Sequence, residues 1–187
     1  MAVFRPEFIE AMALLAQACD EFNAKGYPRP IVVGGAAVEF YTGGAIMSGD
    51  VDFFTDWQRE FESVLIALGF RREDRARHFL RGLYHPSLDI GVEVVSGEFF
   101  DGNADRAKVQ LVEIRDGHEI PFAPIEDMIA DRLGQCVSGS GGSEEMRQQA
   151  IALYRLARTL DEEYVDRRIR EDTCGALGLA DLKDMVS

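Results

Sequence analysis

Cysteine, histidine, basic residues and long apolar runs are all scarce in this chain, and each scarcity excludes something. The three cysteines, Cys19, Cys136 and Cys174, are scattered, odd in number and without metal-ligand spacing. Free thiols in a reducing compartment are therefore expected, not a disulfide framework or a zinc site. His78, His85 and His118 are not clustered, and each reads as structural or surface-lying. No apolar run could span a bilayer, and the N-terminus shows no basic-then-apolar signal segment. A cytoplasmic protein without a membrane partner is expected. Lys and Arg number 20 against 33 Asp and Glu, a net charge of −13, which argues against a broad nucleic-acid-binding surface. The exception is local: Arg71, Arg72, Arg75, Arg77 and Arg81 crowd one segment that holds only Glu73 and Asp74 in opposition. That segment reads as a solvated charged edge, with phosphate contact as the alternative.

What is present suits an ordinary globular protein. At 187 residues, 47% of them apolar, the chain can bury one core and carry a small helical appendage. Arg5-Pro6-Glu7 opens a helix that Lys25-Gly26 closes, with Phe8, Met12, Leu15, Cys19 and Phe22 as its apolar stripe. Ile31-Val32-Val33 reads as a strand, Ala36 to Tyr41 as a short helix, and Phe61 to Leu68 as an amphipathic helix stopped by Gly69. Strands are expected over Phe79–Tyr84 and Leu88–Val95, and a hairpin over Val109–Ile114 and His118–Phe122 around Asp116-Gly117. From Pro124 the pattern turns helical: to about Val137, then Glu144–Leu160, then through Tyr164 and Ile169, and from about Ala180. Ser138 to Ser143 is a Gly/Ser linker by composition. The expected fold class is α/β (α+β): a mixed sheet with helices packed on it over residues 1–123, and a helical region over 124–187.

Two short patterns carry the chemistry. Gly34-Gly35 lies between a strand and a helix, where glycine lets the backbone approach a phosphate and the helix N-terminus offers unpaired N–H groups. Asp50 and Asp52, alternating with Val51 and Phe53, put two carboxylates on one face of a strand. Acids so placed repel one another unless a cation sits between them, and magnesium is the usual one. Ser48 precedes the pair and reads equally as a phosphate contact or a turn hydroxyl.

Val33-Gly34-Gly35-Ala36 followed by Ser48-x-Asp50-x-Asp52 resembles the nucleotidyltransferase superfamily, the polymerase-beta-like fold. Its wording is closest to the bacterial branch of AbiEii-type toxins and related uncharacterised proteins. The resemblance covers roughly the first two thirds of the chain. Thr42-Gly43-Gly44 makes the stretch between Gly35 and Asp50 slightly longer than is usual there. The resemblance implies a magnesium-dependent transfer of a nucleoside monophosphate from an NTP such as ATP to a hydroxyl acceptor, with two Mg2+ ions at the site. The acceptor it implies is a tRNA end or a protein side chain, in a toxin with a possible antitoxin partner. A small-molecule acceptor, as in aminoglycoside nucleotidyltransferases, and a degenerate nucleotide- or partner-binding member are the alternatives.

The resemblance also implies a third acid in a hydrophobic-acid-hydrophobic triplet. Leu88-Asp89-Ile90 and Val92-Glu93-Val94 both qualify. Four residues of strand, roughly 13 Å, separate the two acids, so both cannot serve one metal pair. Glu93 in mid-strand is preferred, with Asp89 as the alternate, to bind metal and take the proton of the incoming hydroxyl. Gly34, Gly35 and Ser48 would hold phosphate. Arg132 sits where relatives often carry Lys and would grip the tail phosphates, against an ion pair with Asp131 or Asp127 as the plainer reading. Trp57 and Tyr41 could stack on a base, though core packing is the default.

Overall fold

Helices and strands share the first two thirds of the chain around one mixed sheet, and helices alone follow. The structure is a computed structural model that describes residues 4–72, 82–88, 90–95, 97–139 and 143–187. Arg75, Arg77 and Arg81 of the basic segment, His78, the start of the expected Phe79–Tyr84 strand, Asp89 and part of the Gly/Ser linker lie outside the described residues.

The elements are α1 (Pro6–Ala24), β1 (Ile31–Val33), α2 (Gly34–Tyr41), β2 (Asp50–Phe54), α3 (Gln58–Ala67), β3 (Arg71–Arg72), β4 (Leu83–His85) and β5 (Ile90–Val95). A short 3-10 turn over Arg106–Lys108 leads to β6 (Gln110–Arg115) and β7 (His118–Phe122). Helices α4 (Ile125–Ser138), α5 (Ser143–Leu156), α6 (Glu162–Asp172) and α7 (Leu179–Val186) complete the chain. The strands form one mixed sheet in the order β3-β4-β5-β2-β1-β7-β6. Strand β2 runs parallel to β5 and antiparallel to β1, while β1 runs parallel to β7.

Alternation along β2 divides its side chains between two environments. Val51 and Phe53 point into the core, where the Phe53 ring meets Phe61 of α3 edge-on at 5.2 Å, and Phe61 in turn meets Phe22 of α1 at 5.2 Å. The apolar stripe of α1 is fully inside this layer, with Leu15, Cys19 and Phe22 wholly buried. Asp50 and Asp52 therefore face the other side of the sheet.

Several boundaries differ from the sequence pattern. Leu88 is held in a turn by its N–H to the His85 carbonyl, 3.2 Å, so β5 starts at Ile90. Helix α5 stops at Leu156, short of Leu160, because Asp161 caps the next helix by accepting the Tyr164 N–H at 3.1 Å. Arg71 and Arg72 form the two-residue edge strand β3, and Arg72 pairs with Glu62 at 2.6 Å. Asp116 and Gly117 both take positive φ (55° and 81°), as a two-residue hairpin turn requires.

The C-terminal helices are tied together by a buried charge cluster. Arg168 of α6, wholly buried, donates to Asp127 of α4 at 2.6 Å and to Asp172 at 2.9 Å. The Tyr164 hydroxyl donates to the same Asp127 at 2.9 Å. Among the described residues no helix is long and apolar enough to cross a membrane.

Candidate active site

Register brings the sequence-selected acids together. In the parallel β2–β5 pair Asp52 lies directly beside Glu93, and Asp50 lies beside Gly91. Neighbouring residues in register project from the same face, so Asp50, Asp52 and Glu93 share one side of the sheet. Glycine at 91 leaves room for the exposed Asp50, since a Cβ there would sit 3.3 Å from the Asp50 Cβ. Asp89, the alternate third acid, lies outside the described residues.

The glycine turn meets the same face. Strand β1 ends at Val33, paired with Asp52, and α2 begins at once with Gly34. Gly34 has φ +65°, and a Cβ on it would overlap the Asp52 carboxylate. Glycine is therefore required both by the backbone and by the close approach of the acid. The Gly35 N–H favours the charged form of Asp52, so the N-terminus of α2 faces a carboxylate, the kind of anion it suits. A Cβ on Gly35 would come within 2.5 Å of the Ser48 hydroxyl oxygen. Ser48 itself donates to the Asp50 carbonyl at 2.8 Å, the contact of a turn hydroxyl.

Electrostatics bear directly on Asp52. Burial raises its carboxyl to about 6, with the charges of Asp50 and Glu93 adding, and Arg132 and the Gly35 N–H only partly opposing them. The acids are thus close enough to repel one another. Among the described residues no three His, Cys, Asp or Glu side chains converge into a ready-made ligand set.

Beside Asp52 opens a cavity of about 360 Å³. Gly34, Asp52 and Phe54 form one side, Glu98, Phe99 and Phe100 another, and Asp131, Arg132 and Gln135 of α4 a third. Arg132 is buried and bonded to Asp131 through Nη2 at 2.7 Å and Nε at 2.9 Å, with Gln149 3.4 Å from its Nη1. The cavity and the ion pair with Asp131 thus coexist at Arg132, while Asp127 pairs with Arg168 instead. Gln135 also donates to Asp131, at 3.0 Å. Phe100 and Asp101 hold positive φ (48° and 55°), a strained turn of the kind that gathers at functional clefts.

Other candidates go elsewhere. The Tyr41 hydroxyl donates to the Ala123 carbonyl at 2.6 Å, and Trp57 precedes α3 beside Tyr27. His118 pairs with Asp20 at 2.7 Å, and the His85 ring packs on Phe70.

Sequence reasoning passed over Glu39 and Arg5. Glu39 has no exposed surface, yet it accepts Arg5 Nε and Nη2 at 3.1 and 3.0 Å and the Ser48 N–H at 2.6 Å. The available signal was a lone acid inside the apolar run Ala36-Ala37-Val38-Glu39-Phe40-Tyr41. Glu98, Phe99 and Phe100 gave no such signal, since they lie in a loop whose path is set by the rest of the fold.

No protein-family model matches the sequence, and none of the curated proteins does. Solved structures do match over nearly the whole length. An antigenic nucleotidyltransferase-like protein from Paracoccidioides brasiliensis superposes with a TM-score of 0.63 at 15% identity, over 98% of this chain and 94% of its own. The antibiotic-resistance factor ANT(2'')-Ia superposes with a TM-score of 0.55 at 16% identity, over 95% of each chain. At these identities the likeness is one of fold, and it does not single out the AbiEii-type branch. With the glycine turn and the acid pair standing where the sheet places them, the chain has a nucleotidyltransferase-like fold.

Proposed function

We propose that this protein transfers a nucleoside monophosphate from an NTP to a hydroxyl acceptor with the help of Mg2+. The observation that carries the reading is the in-register pairing of Asp52 with Glu93, with Asp50 on the same face and the Gly34-Gly35 turn against Asp52. Residues 1–123 would be the catalytic core, and the helical region 124–187 would contribute Arg132 to the cavity.

By chemistry the donors suit a hard divalent cation, which would have to draw together carboxylates that do not converge by themselves. All three groups are carboxylates, and their mutual repulsion at Asp52 is what such an ion relieves. Asp50, Asp52 and Glu93 would hold two Mg2+ ions, which when bound supply charge neutralisation of the triphosphate and the leaving pyrophosphate. The N–H groups at the start of α2 would bind phosphate, Gly34 and Gly35 keeping that approach open and Ser48 flanking it. Arg132 would turn its guanidinium from Asp131 to the tail phosphates. The Glu93 carboxylate would take the proton from the acceptor hydroxyl.

For the acceptor, the AbiEii-type resemblance supports a tRNA end or a protein side chain, in a toxin restrained by an antitoxin. A second reading, a small cationic acceptor, is favoured by the cavity. Its wall carries the carboxylates of Asp52, Glu98 and Asp131 with three phenylalanines, and its single guanidinium is already paired. The likeness in fold to an antibiotic-resistance factor supports the same reading.

The test is a thermal-shift screen of ATP, GTP, CTP and UTP, with and without Mg2+, on wild type and Asp50→Ala/Asp52→Ala. A ligand at a hundred times its dissociation constant adds about 2.7 kcal/mol. A Mg2+-dependent shift lost in the double variant supports the reading and names the base. Labelled-nucleotide transfer to tRNA or to an aminoglycoside panel then separates the acceptors. No shift with any NTP points to a degenerate or partner-binding member of the fold.

A further inference from the structure

The segment between the glycine turn and the acid pair is tied to other elements of the fold close to Asp50, at Ser48. Ser48 has both its backbone groups bound: its N–H to Glu39 at 2.6 Å and its carbonyl to Arg5 Nη2 at 2.7 Å. Arg5 closes the ring by donating twice to Glu39. Only Gly49 separates Ser48 from Asp50, and a Cβ there would meet nothing within 4 Å, so Gly49 fixes nothing by packing. Upstream, Gly43 and Gly44 both take positive φ, and the Thr42 hydroxyl accepts the Ile46 N–H at 3.2 Å. The direction from which the chain enters β2 is therefore set at Ser48, by a carboxylate standing on α2 five residues after Gly34.

We propose that Glu39, held by Arg5, is a positioning residue that fixes Asp50 relative to the Gly34-Gly35 turn and so sets the affinity of the site for divalent cations. The inference rests on reading Asp50, Asp52 and Glu93 as metal ligands. Two things distinguish this pair from a purely structural one. A buried ion pair is commonly matched or exceeded in stability by apolar residues of the same volume, so stability alone does not call for it. What apolar residues do not supply is the simultaneous grip on an N–H and a carbonyl of one loop residue. Outer partners that orient metal-binding groups typically change metal affinity by about 10–100-fold when removed.

The experiment is a titration of the purified full chain with Mn2+, free ion being read by electron paramagnetic resonance. Wild type, Glu39→Gln, Arg5→Met/Glu39→Met, Asp127→Asn and Asp50→Ala/Asp52→Ala are compared, with folding checked by circular dichroism. Mn2+ binding that is lost in the Asp50/Asp52 variant defines the site. Glu39→Gln and the double methionine variant are expected to bind Mn2+ about 10–100-fold more weakly. Asp127→Asn, which disturbs a buried pair far along the chain, is expected to lose stability with Mn2+ affinity unchanged. The methionine variant keeps the question answerable if Glu39→Gln does not fold. Wild-type affinity in the folded Glu39 variants overturns the positioning role, as does an equal loss in Asp127→Asn. Absence of site-specific Mn2+ binding in wild type overturns instead the metal reading on which this inference stands.

Discussion

Replacing Asp52 with Asn should make the metal-free protein more stable, and by an amount that depends on pH. The carboxyl is raised from an ordinary 3.8 to about 6 by burial, then by Asp50 and Glu93. A carboxyl raised on folding contributes fully at low pH, and that contribution is lost as pH climbs through the folded value. Below 3.8 it is protonated in both states and costs nothing; above about 6 the folded protein carries a charge it disfavours. At about 1.4 kcal/mol per tenfold in proton affinity, the interval is worth about 3 kcal/mol at pH 8. The same relation leaves about 1 kcal/mol at pH 4.5. Asn keeps an oxygen for the Gly35 N–H and drops the charge. Asp52→Asn should therefore gain about 2–3 kcal/mol at pH 8, some 5–10 °C in Tm for a chain of this size. About 2 kcal/mol of that gain should vanish by pH 4.5. Urea and thermal unfolding in EDTA at the two pH values measure both quantities. A variant no more stable than wild type at pH 8, or equally stabilised at both pH values, would refute the argument.

Four further outcomes follow from single features. Gly34→Ala places a side chain at φ +65° against the Asp52 carboxylate, and should lower stability by at least about 1–2 kcal/mol and abolish the NTP-dependent thermal shift. Gly117→Ala, also at positive φ but with nothing within 4 Å, should cost similar strain and leave that shift intact. Arg168→Met leaves the buried Asp127 without its cation and should cost about 3–5 kcal/mol in urea unfolding, most of it recovered by Asp127→Leu in the same chain. Burial, and then Asp20, pushes the Cys19 thiol well above its usual range, so in native protein a thiol reagent should label the exposed Cys174 and spare Cys19 until unfolding.

The fold was legible wherever periodicity is dictated by burial. Helix α1 shows its stripe because one face meets the sheet, and β2 alternates because Phe53 goes to the core while Asp52 does not. The Asp116-Gly117 hairpin was legible for a different reason, since few residues tolerate two consecutive positive φ angles. Pattern reading failed where a local competitor decided the outcome. Helical spacing continues to Leu160, but the Asp161 cap captures the Tyr164 N–H and begins a new helix instead. Leu88 fits the strand pattern, yet its N–H is spent in the turn after His85. The two-residue strand at Arg71–Arg72 has no hydrophobic pattern to betray it, because an exposed edge buries nothing.

At the site, the contrast among acids is what separates candidate ion ligands from acids that hold other groups in place. Three carboxylate residues are buried among the described residues, Glu39, Glu62 and Asp127, and each has its own arginine: Arg5, Arg72 and Arg168. Each is neutralised at the distance of a direct ion pair, so its carboxylate is already committed to a cation of the chain's own. Asp52 is half-buried and has no ion pair among the described residues. Its neighbours on the sheet face are two more acids, and Arg132, the cation that bears on it, is bonded to Asp131. Among the described residues the fold supplies an arginine to each of its three buried acids but leaves half-buried Asp52 among like charges, an electrostatic cost that a bound cation would remove. Sequence could mark Asp50 and Asp52 by spacing and Glu93 by its triplet. It could not rank them against Glu39, because an acid in an apolar run looks the same whether its partner is an arginine 34 positions away or a ligand that arrives from solution.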